Sequence, residues 1–206
     1  MNYTRIKICG ITRPADAIAA IKAGADAIGL ILYEYSARYV SLAEASAIRE
    51  VIPPLITVVG VFVNPLTEYV NACVKQLRLN LLQFHGDESE EWCNNFNYPY
   101  IKSIAMNKQT RVLQFMQDYP TAAGFLLDAA HPHYRGGTGE RFDWKQVPIA
   151  SPKPIILAGG LNHLNVADAI RQTQPFAVDV SSGVELAPGI KDEKKLLAFI
   201  QEVRRV

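Results

Sequence analysis

Eight short apolar runs, each followed by a helix-forming segment, predict an α/β fold: a single (β/α)8 TIM barrel over residues 1–206. Three observations carry this. The runs are continuous rather than alternating, as parallel strands covered on both faces require. They start roughly 20 to 30 residues apart, the spacing of a strand–helix unit. No Gly/Ser/Pro-rich linker divides the chain. A doubly wound open sheet is the alternative reading of the same pattern.

The runs are Ile6–Cys9, Ala27–Leu32, Ile56–Val63, Leu81–Phe84, Ile101–Ala105, Phe125–Leu127, Ile155–Ala158 and Phe176–Val180. Between the first two, Pro14 suits a first helical turn, Ile18 and Ile21 follow, and Gly24 is a fitting stop. Ser41 can cap a helix containing Leu42, Ala45, Ile48 and Arg49. Asn64-Pro65 opens a segment whose Leu66, Tyr69, Val70, Cys73, Val74 and Leu77 share one helical face. The acidic run Asp87, Glu88, Glu90 and Glu91 suits the positive end of a helix dipole. Asn162 can cap a helix through Leu164, Ala167 and Ile170, and Asp192 one bearing Leu196, Phe199, Ile200 and Val203.

Composition excludes several classes. With 49% hydrophobic and 20% charged residues in 206, the chain is neither disordered nor low-complexity. A net charge of +1 gives no bulk attraction for nucleic acid or an anionic membrane. No run approaches a membrane-spanning length, and the amino terminus lacks the apolar core of a secretion signal. Three cysteines at unpaired spacings imply neither a disulfide framework nor a zinc site, so a cytoplasmic location is expected. A monomer is the default expectation, with a dimer left open.

In a barrel, function belongs to the loops at the C-terminal strand ends. Gly159-Gly160 follows the seventh run and Ser181-Ser182-Gly183 the eighth, where barrels often bind phosphate. A third group, Gly136-Gly137-Thr138-Gly139, follows the sixth. Glycine lets backbone N–H groups approach phosphate oxygens, and hydroxyls add donors, so the three groups together point to a phosphate or similar anion.

Strand alternation puts Lys7 and Cys9 on one face. An ammonium there would favour the thiolate and lower the thiol pKa; the same cysteine could equally be a small buried hydrophobe. Cys73 and Cys93 fall in helical segments and read as packing. Asp128 ends the sixth run, where it either caps the loop or serves chemistry. Asp179 lies within the eighth run and needs a polar partner. His85, two residues after Gln83, reads equally as structural or ligand-binding, and Arg38 has the place of an ordinary loop cation.

The combined motifs resemble the phosphoribosylanthranilate isomerase family. They include Lys7-Ile8-Cys9-Gly10-Ile11-Thr12, Ser36-Ala37-Arg38-Tyr39-Val40, Val59-Gly60-Val61-Phe62-Val63-Asn64 and Gln83-Phe84-His85-Gly86-Asp87-Glu88. Leu126-Leu127-Asp128, Leu157-Ala158-Gly159-Gly160-Leu161, Val178-Asp179-Val180-Ser181-Ser182-Gly183-Val184-Glu185 and Pro188-Gly189-Ile190-Lys191-Asp192 continue the match in order. The resemblance implies an aldose–ketose isomerase of tryptophan biosynthesis that needs no metal or organic cofactor. Its substrate would be a phosphorylated sugar joined to anthranilate. By the same resemblance Cys9 is the general base, Asp128 the general acid, and Arg38 stands beside the anthranilate carboxylate. Gly137, Thr138, Gly139, Gly159, Gly160, Ser181, Ser182 and Gly183 fall on the phosphate loops. His85 and Asp179 match positions lining the family's substrate pocket, and Lys7, on the face of Cys9, is expected to bind substrate with them. Gly29-Leu30-Ile31-Leu32 departs from a strand end that often carries phenylalanine in the family, and Glu34 and His163 stand where it often has proline. These departures bear on substrate fit, since they remove no acid, base or phosphate donor.

Overall fold

A computed structural model describes residues 3–129 and 142–206. Eight parallel strands close into a barrel in sequence order: β1 (Arg5–Cys9), β2 (Ala27–Ile31), β3 (Thr57–Phe62), β4 (Leu81–Phe84), β5 (Tyr100–Met106), β6 (Gly124–Ala129), β7 (Ile155–Leu157) and β8 (Ala177–Val180). Each overlaps one of the eight apolar runs. Pairing of β1 with β8 closes the ring and places Lys7 opposite Asp179.

The helices α1 (Pro14–Ala23), α2 (Leu42–Glu50), α3 (Thr67–Leu77), α4 (Glu90–Asn94), α5 (Val112–Gln117), α6 (Val166–Thr173) and α7 (Glu193–Arg204) lie between and after the strands. Among the described residues between β6 and β7, the helical element is a 3-10 turn, Trp144–Gln146. After β8 come a second 3-10 turn, Ser182–Val184, and a small antiparallel hairpin, β9 (Glu185–Ala187) and β10 (Ile190–Lys191).

Local chemistry explains most helix ends. Ser41 caps α2 in a reciprocal capping box with Glu44, and Asp192 accepts from the backbone of Lys194 and Lys195 at the start of α7. Gly24, at φ 111°, ends α1 in the left-handed conformation.

Two expected starts are displaced. Asn64 takes φ 45° and turns its carboxamide to the Asp87 N–H, so α3 begins at Thr67 and Leu66 is left 74% exposed. Asn162 holds a turn through Leu164 N–H, and Asn165 is the N-cap of α6, which leaves Leu164 80% exposed rather than on the core face. In both places an asparagine side chain satisfies loop backbone instead of starting a helix. The acidic run divides: Ser89 caps α4 with Glu90 and Glu91 in its first turn, while Glu88 is buried.

The main core lies between the strands and the helices, with Ile8, Ile28, Phe62, Phe84, Phe125 and Phe199 all fully buried. A smaller cluster of Leu81, Ile101, Leu126, Ile156, Ala158 and Ala177 fills the barrel interior. Above most of this plug, toward the C-terminal strand ends, the inward positions turn polar: Lys7, Gln83, Ser103, Asp128 and Asp179. Among the described residues no helix is long and apolar enough to cross a membrane.

Candidate active site

Cys9 ends β1 and is buried beside Gly29 of β2, its register partner. A Cβ on Gly29 would lie 2.8 Å from the Cys9 Sγ and 3.1 Å from the Lys7 Cε, so the missing side chain leaves room for both. Lys7 Nζ donates to Asp179 Oδ1 at 2.8 Å, supplying the partner that a buried carboxylate needs. Burial pulls the lysine down, but Asp179 and the Cys9 thiol outweigh it and hold Lys7 above its ordinary value.

The expectation of a lowered Cys9 thiol is overturned. Burial pushes it above its ordinary value; Lys7 opposes this, and Asp179 adds to it. The lysine charge still favours the thiolate, but burial outweighs it and the carboxylate on the neighbouring strand opposes it.

Asp128 stands near the end of β6 and fills the first of the two roles considered for it, bracing the loop. Its Oδ1 accepts from the Ala129 N–H at 2.9 Å, bracing the loop, while Oδ2 faces His85 Nε2 at 3.5 Å. His85 Nδ1 lies 2.8 Å from Ser103 Oγ and 3.1 Å from Gln83 Nε2. These contacts set the ring against Asp128.

Arg38 is not a solvated loop cation. Its Nε and Nη2 donate to both carboxylate oxygens of Glu185 at 2.8 to 3.2 Å, and its side chain is 12% exposed. Glu185 also accepts from Lys191 Nζ at 2.6 Å. Burial raises the Glu185 carboxyl, but Arg38 and Lys191 prevail and hold it below its ordinary value. Burial lowers Lys191, against the pull of Glu185.

The loops after β7 and β8 meet. A Cβ on Gly183 would fall 1.9 Å from the Leu161 carbonyl oxygen, so only glycine permits that approach. Gly159 and Gly160 are both left-handed, at φ 80° and 64°. Ser181 takes two donors from Lys191 Nζ, on its carbonyl at 3.2 Å and its hydroxyl at 3.4 Å, and Ser182 and Gly183 form the adjoining 3-10 turn. Gly137, Thr138 and Gly139 lie outside the described residues.

The sequence pattern assigned no site role to Glu185, Lys191, Lys102 or Glu88, the last read only as part of a helix-opening acidic run. Lys102 and Glu88 form another buried ion pair, 2.6 Å long, behind the β4 and β5 ends. Glu88 also accepts from the backbone of Asn64 and Gly86, which fixes the loop carrying His85. Their sequence signal was slight: Lys102 is an isolated lysine in an apolar strand, Glu88 belongs to an acidic run, Glu185 stands singly after Val184, and Lys191 follows Ile190 at the head of a charged run. Among the described residues no group of three or more His, Cys, Asp or Glu is placed to hold a metal ion. A cavity of about 1040 Å³ at the opposite barrel end, lined in part by Tyr3, Arg5, Ile149 and Phe176, contains none of the candidate groups.

Comparison with known proteins gives this arrangement its context. The family model described as N-(5'-phosphoribosyl)anthranilate (PRA) isomerase matches residues 6–202. The N-(5'-phosphoribosyl)anthranilate isomerase of Nitrosomonas europaea is 52% identical over 200 residues, covering 97% of this chain and 95% of its own. The crystal structure of phosphoribosyl anthranilate isomerase from Thermus thermophilus matches with TM-score 0.89 and 36% identity, over 98% of this chain and 99% of that one. Another isomerase structure, in complex with reduced 1-(o-carboxyphenylamino)-1-deoxyribulose 5-phosphate, matches with TM-score 0.86 and 35% identity, over 98% of this chain and 100% of that one. Barrel and relatives together define an intramolecular aldose–ketose isomerase. The chain belongs to the N-(5'-phosphoribosyl)anthranilate isomerase family.

Proposed function

We propose that this chain catalyses the cofactor-free Amadori rearrangement of N-(5'-phosphoribosyl)anthranilate to 1-(2-carboxyphenylamino)-1-deoxyribulose 5-phosphate in tryptophan biosynthesis. One observation carries the reading: Cys9 and Asp128 stand near the C-terminal ends of β1 and β6, at the same mouth as the glycine and serine loops after β7 and β8. A thiol and a carboxyl at that mouth match the two proton transfers of the reaction.

Asp128, protonated, gives its proton to the furanose ring oxygen. The C1′–O bond breaks, and the nitrogen lone pair forms the C1′=N bond of a Schiff base. Cys9, as thiolate, removes the proton from C2′, and the electron pair moves through C1′ onto nitrogen. The enolamine then tautomerises to the ketone. The working form has its proton on Asp128 and none on Cys9. Lys7 favours that form, and burial of the thiol opposes it.

In the same reading Arg38 receives the anthranilate carboxylate, and Lys7, His85 and Asp179 line the sugar. Gly159, Gly160, Ser181, Ser182 and Gly183, with Gly137, Thr138 and Gly139, take the phosphate. Holding the phosphate and carboxylate at two points orients C2′ between base and acid, which can supply several kcal/mol of the barrier. Residues 1–206 act as one barrel domain, since strands from the two ends of the chain pair to close it. A cytoplasmic location is consistent with the buried free thiols of Cys9, Cys73 and Cys93.

The test is the fluorescence of the anthranilate-linked ribose phosphate on mixing with the purified, folded chain. Loss of the substrate signal with formation of the ketose supports the reading. Steady fluorescence rejects it.

A further inference from the structure

Among the described residues, three buried groups near the mouth join lysine or arginine to a carboxylate, and one of them carries a surplus cation. Lys7 pairs with Asp179, and Lys102 with Glu88, one cation to one carboxylate. The third group has two cations, Arg38 and Lys191, on the single carboxylate of Glu185. Their side chains are 12%, 0% and 5% exposed, so water screens the surplus poorly.

The hairpin after β8 builds this group. Lys191 and Glu185 are register partners of β10 and β9, and the Lys191 N–H donates to Asp16 at 3.1 Å. Lys191 Nζ reaches the Glu185 carboxylate and both oxygens of Ser181, so its donors are spent within the protein. Arg38 differs. Its Nε and Nη2 are on Glu185, and Nη1 makes no hydrogen bond among the described residues. Its stem lies over Gly10, where a Cβ would fall 2.6 Å from the Arg38 Cδ and 2.9 Å from the Ser181 Oγ. The guanidinium is therefore held between the residue following Cys9 and the loop after β8.

Arg38 and Glu185 alone would form a closed neutral pair with little field for an anion. A second buried cation on the same carboxylate changes that balance. We propose that Lys191 is a positioning residue for substrate recognition: it offsets Glu185, so that Arg38 keeps a net positive charge for the ring carboxylate of the substrate. This rests on the reading of Arg38 as the carboxylate-binding residue.

The experiment measures binding of two probes to the full chain by calorimetry: the reduced ketose product, and the same compound without its ring carboxylate. Lys191→Gln removes the charge and keeps a donor for Ser181. It is expected to weaken the carboxylated probe about tenfold and the other less than about threefold. Glu185→Gln/Lys191→Gln restores the surplus of one positive charge and is expected to return the carboxylated probe to within about threefold of wild type. Equal loss on both probes, or no recovery in the double variant, overturns the proposal. If Lys191→Gln does not fold, the double variant read against Glu185→Gln must show the same selective loss, and its absence overturns the proposal equally. Arg38→Met separates the two readings. If it fails to discriminate the probes, the carboxylate assignment of Arg38 falls; if it discriminates and Lys191→Gln does not, only the role of Lys191 falls.

Discussion

Lys7 and Asp179 face each other across the β1–β8 seam, and their 2.8 Å ion pair closes the barrel one pleat below Cys9. The pair couples barrel closure to the thiol. Lys7 stabilises a thiolate, and Asp179 works against it.

This coupling gives a signed prediction. Asp179→Asn removes a carboxylate that raises the Cys9 thiol and leaves the Lys7 charge less matched, so the thiol should titrate at lower pH than in wild type. Lys7→Met should move it higher. The pH dependence of Cys9 alkylation in a Cys73→Ala/Cys93→Ala background measures both, and opposite displacements are required.

Asp128→Asn and Cys9→Ser should each lower kcat about 10²- to 10⁴-fold. Binding of the reduced ketose product should change by less than about fivefold in both, since neither residue is assigned to hold the phosphate or the carboxylate. Single-turnover fluorescence and calorimetry separate the two effects. Near-wild-type turnover in either variant removes its residue from the mechanism.

Ser181→Ala should act mainly on KM, by about tenfold, because a hydroxyl that holds a phosphate is remote from the reacting carbon. Steady-state kinetics decides this. An equal fall in kcat and kcat/KM would place Ser181 in the transition state instead.

Lys102→Met should cost about 3 to 5 kcal/mol of stability, since it leaves the Glu88 carboxylate buried without its cation. Lys102→Met/Glu88→Gln should recover part of that loss. Urea unfolding followed by tryptophan fluorescence reports both values.

Glu185 predicts an acid limb of stability. Its folded carboxyl sits below the ordinary value, so the unfolded chain binds the proton more readily. Its contribution is complete above the unfolded carboxyl pKa and is lost as pH falls through the lowered folded pKa. Glu185→Gln should flatten that part of the curve, measured as urea midpoint against pH.

Strands were the most legible part of the fold. Val58-Val59-Gly60-Val61-Phe62 and Phe125-Leu126-Leu127 are apolar on both faces because a barrel strand meets the interior on one side and helices on the other. Helix starts were less legible at Asn64 and Asn162, whose side chains satisfy loop backbone equally well. Cys9 and Asp128 stood out because strand ends in this architecture carry the chemistry. Arg38 read as an ordinary surface charge, since its carboxylate partner is far away in sequence.

The sequence by itself determined the eight strand segments and the candidate residues, because burial periodicity and the motifs near strand ends are local properties of the chain, whereas the closed ring and its strand order belong to the tertiary structure. Only the tertiary structure decided how the charges are spent. Closing β8 onto β1 matches Lys7 to Asp179, burial of Cys9 in the closed barrel leaves its thiol raised, and folding the hairpin after β8 brings Lys191 and Glu185 to Arg38. Electrostatic energies depend on distance and burial, and both are fixed by the closure of the whole barrel.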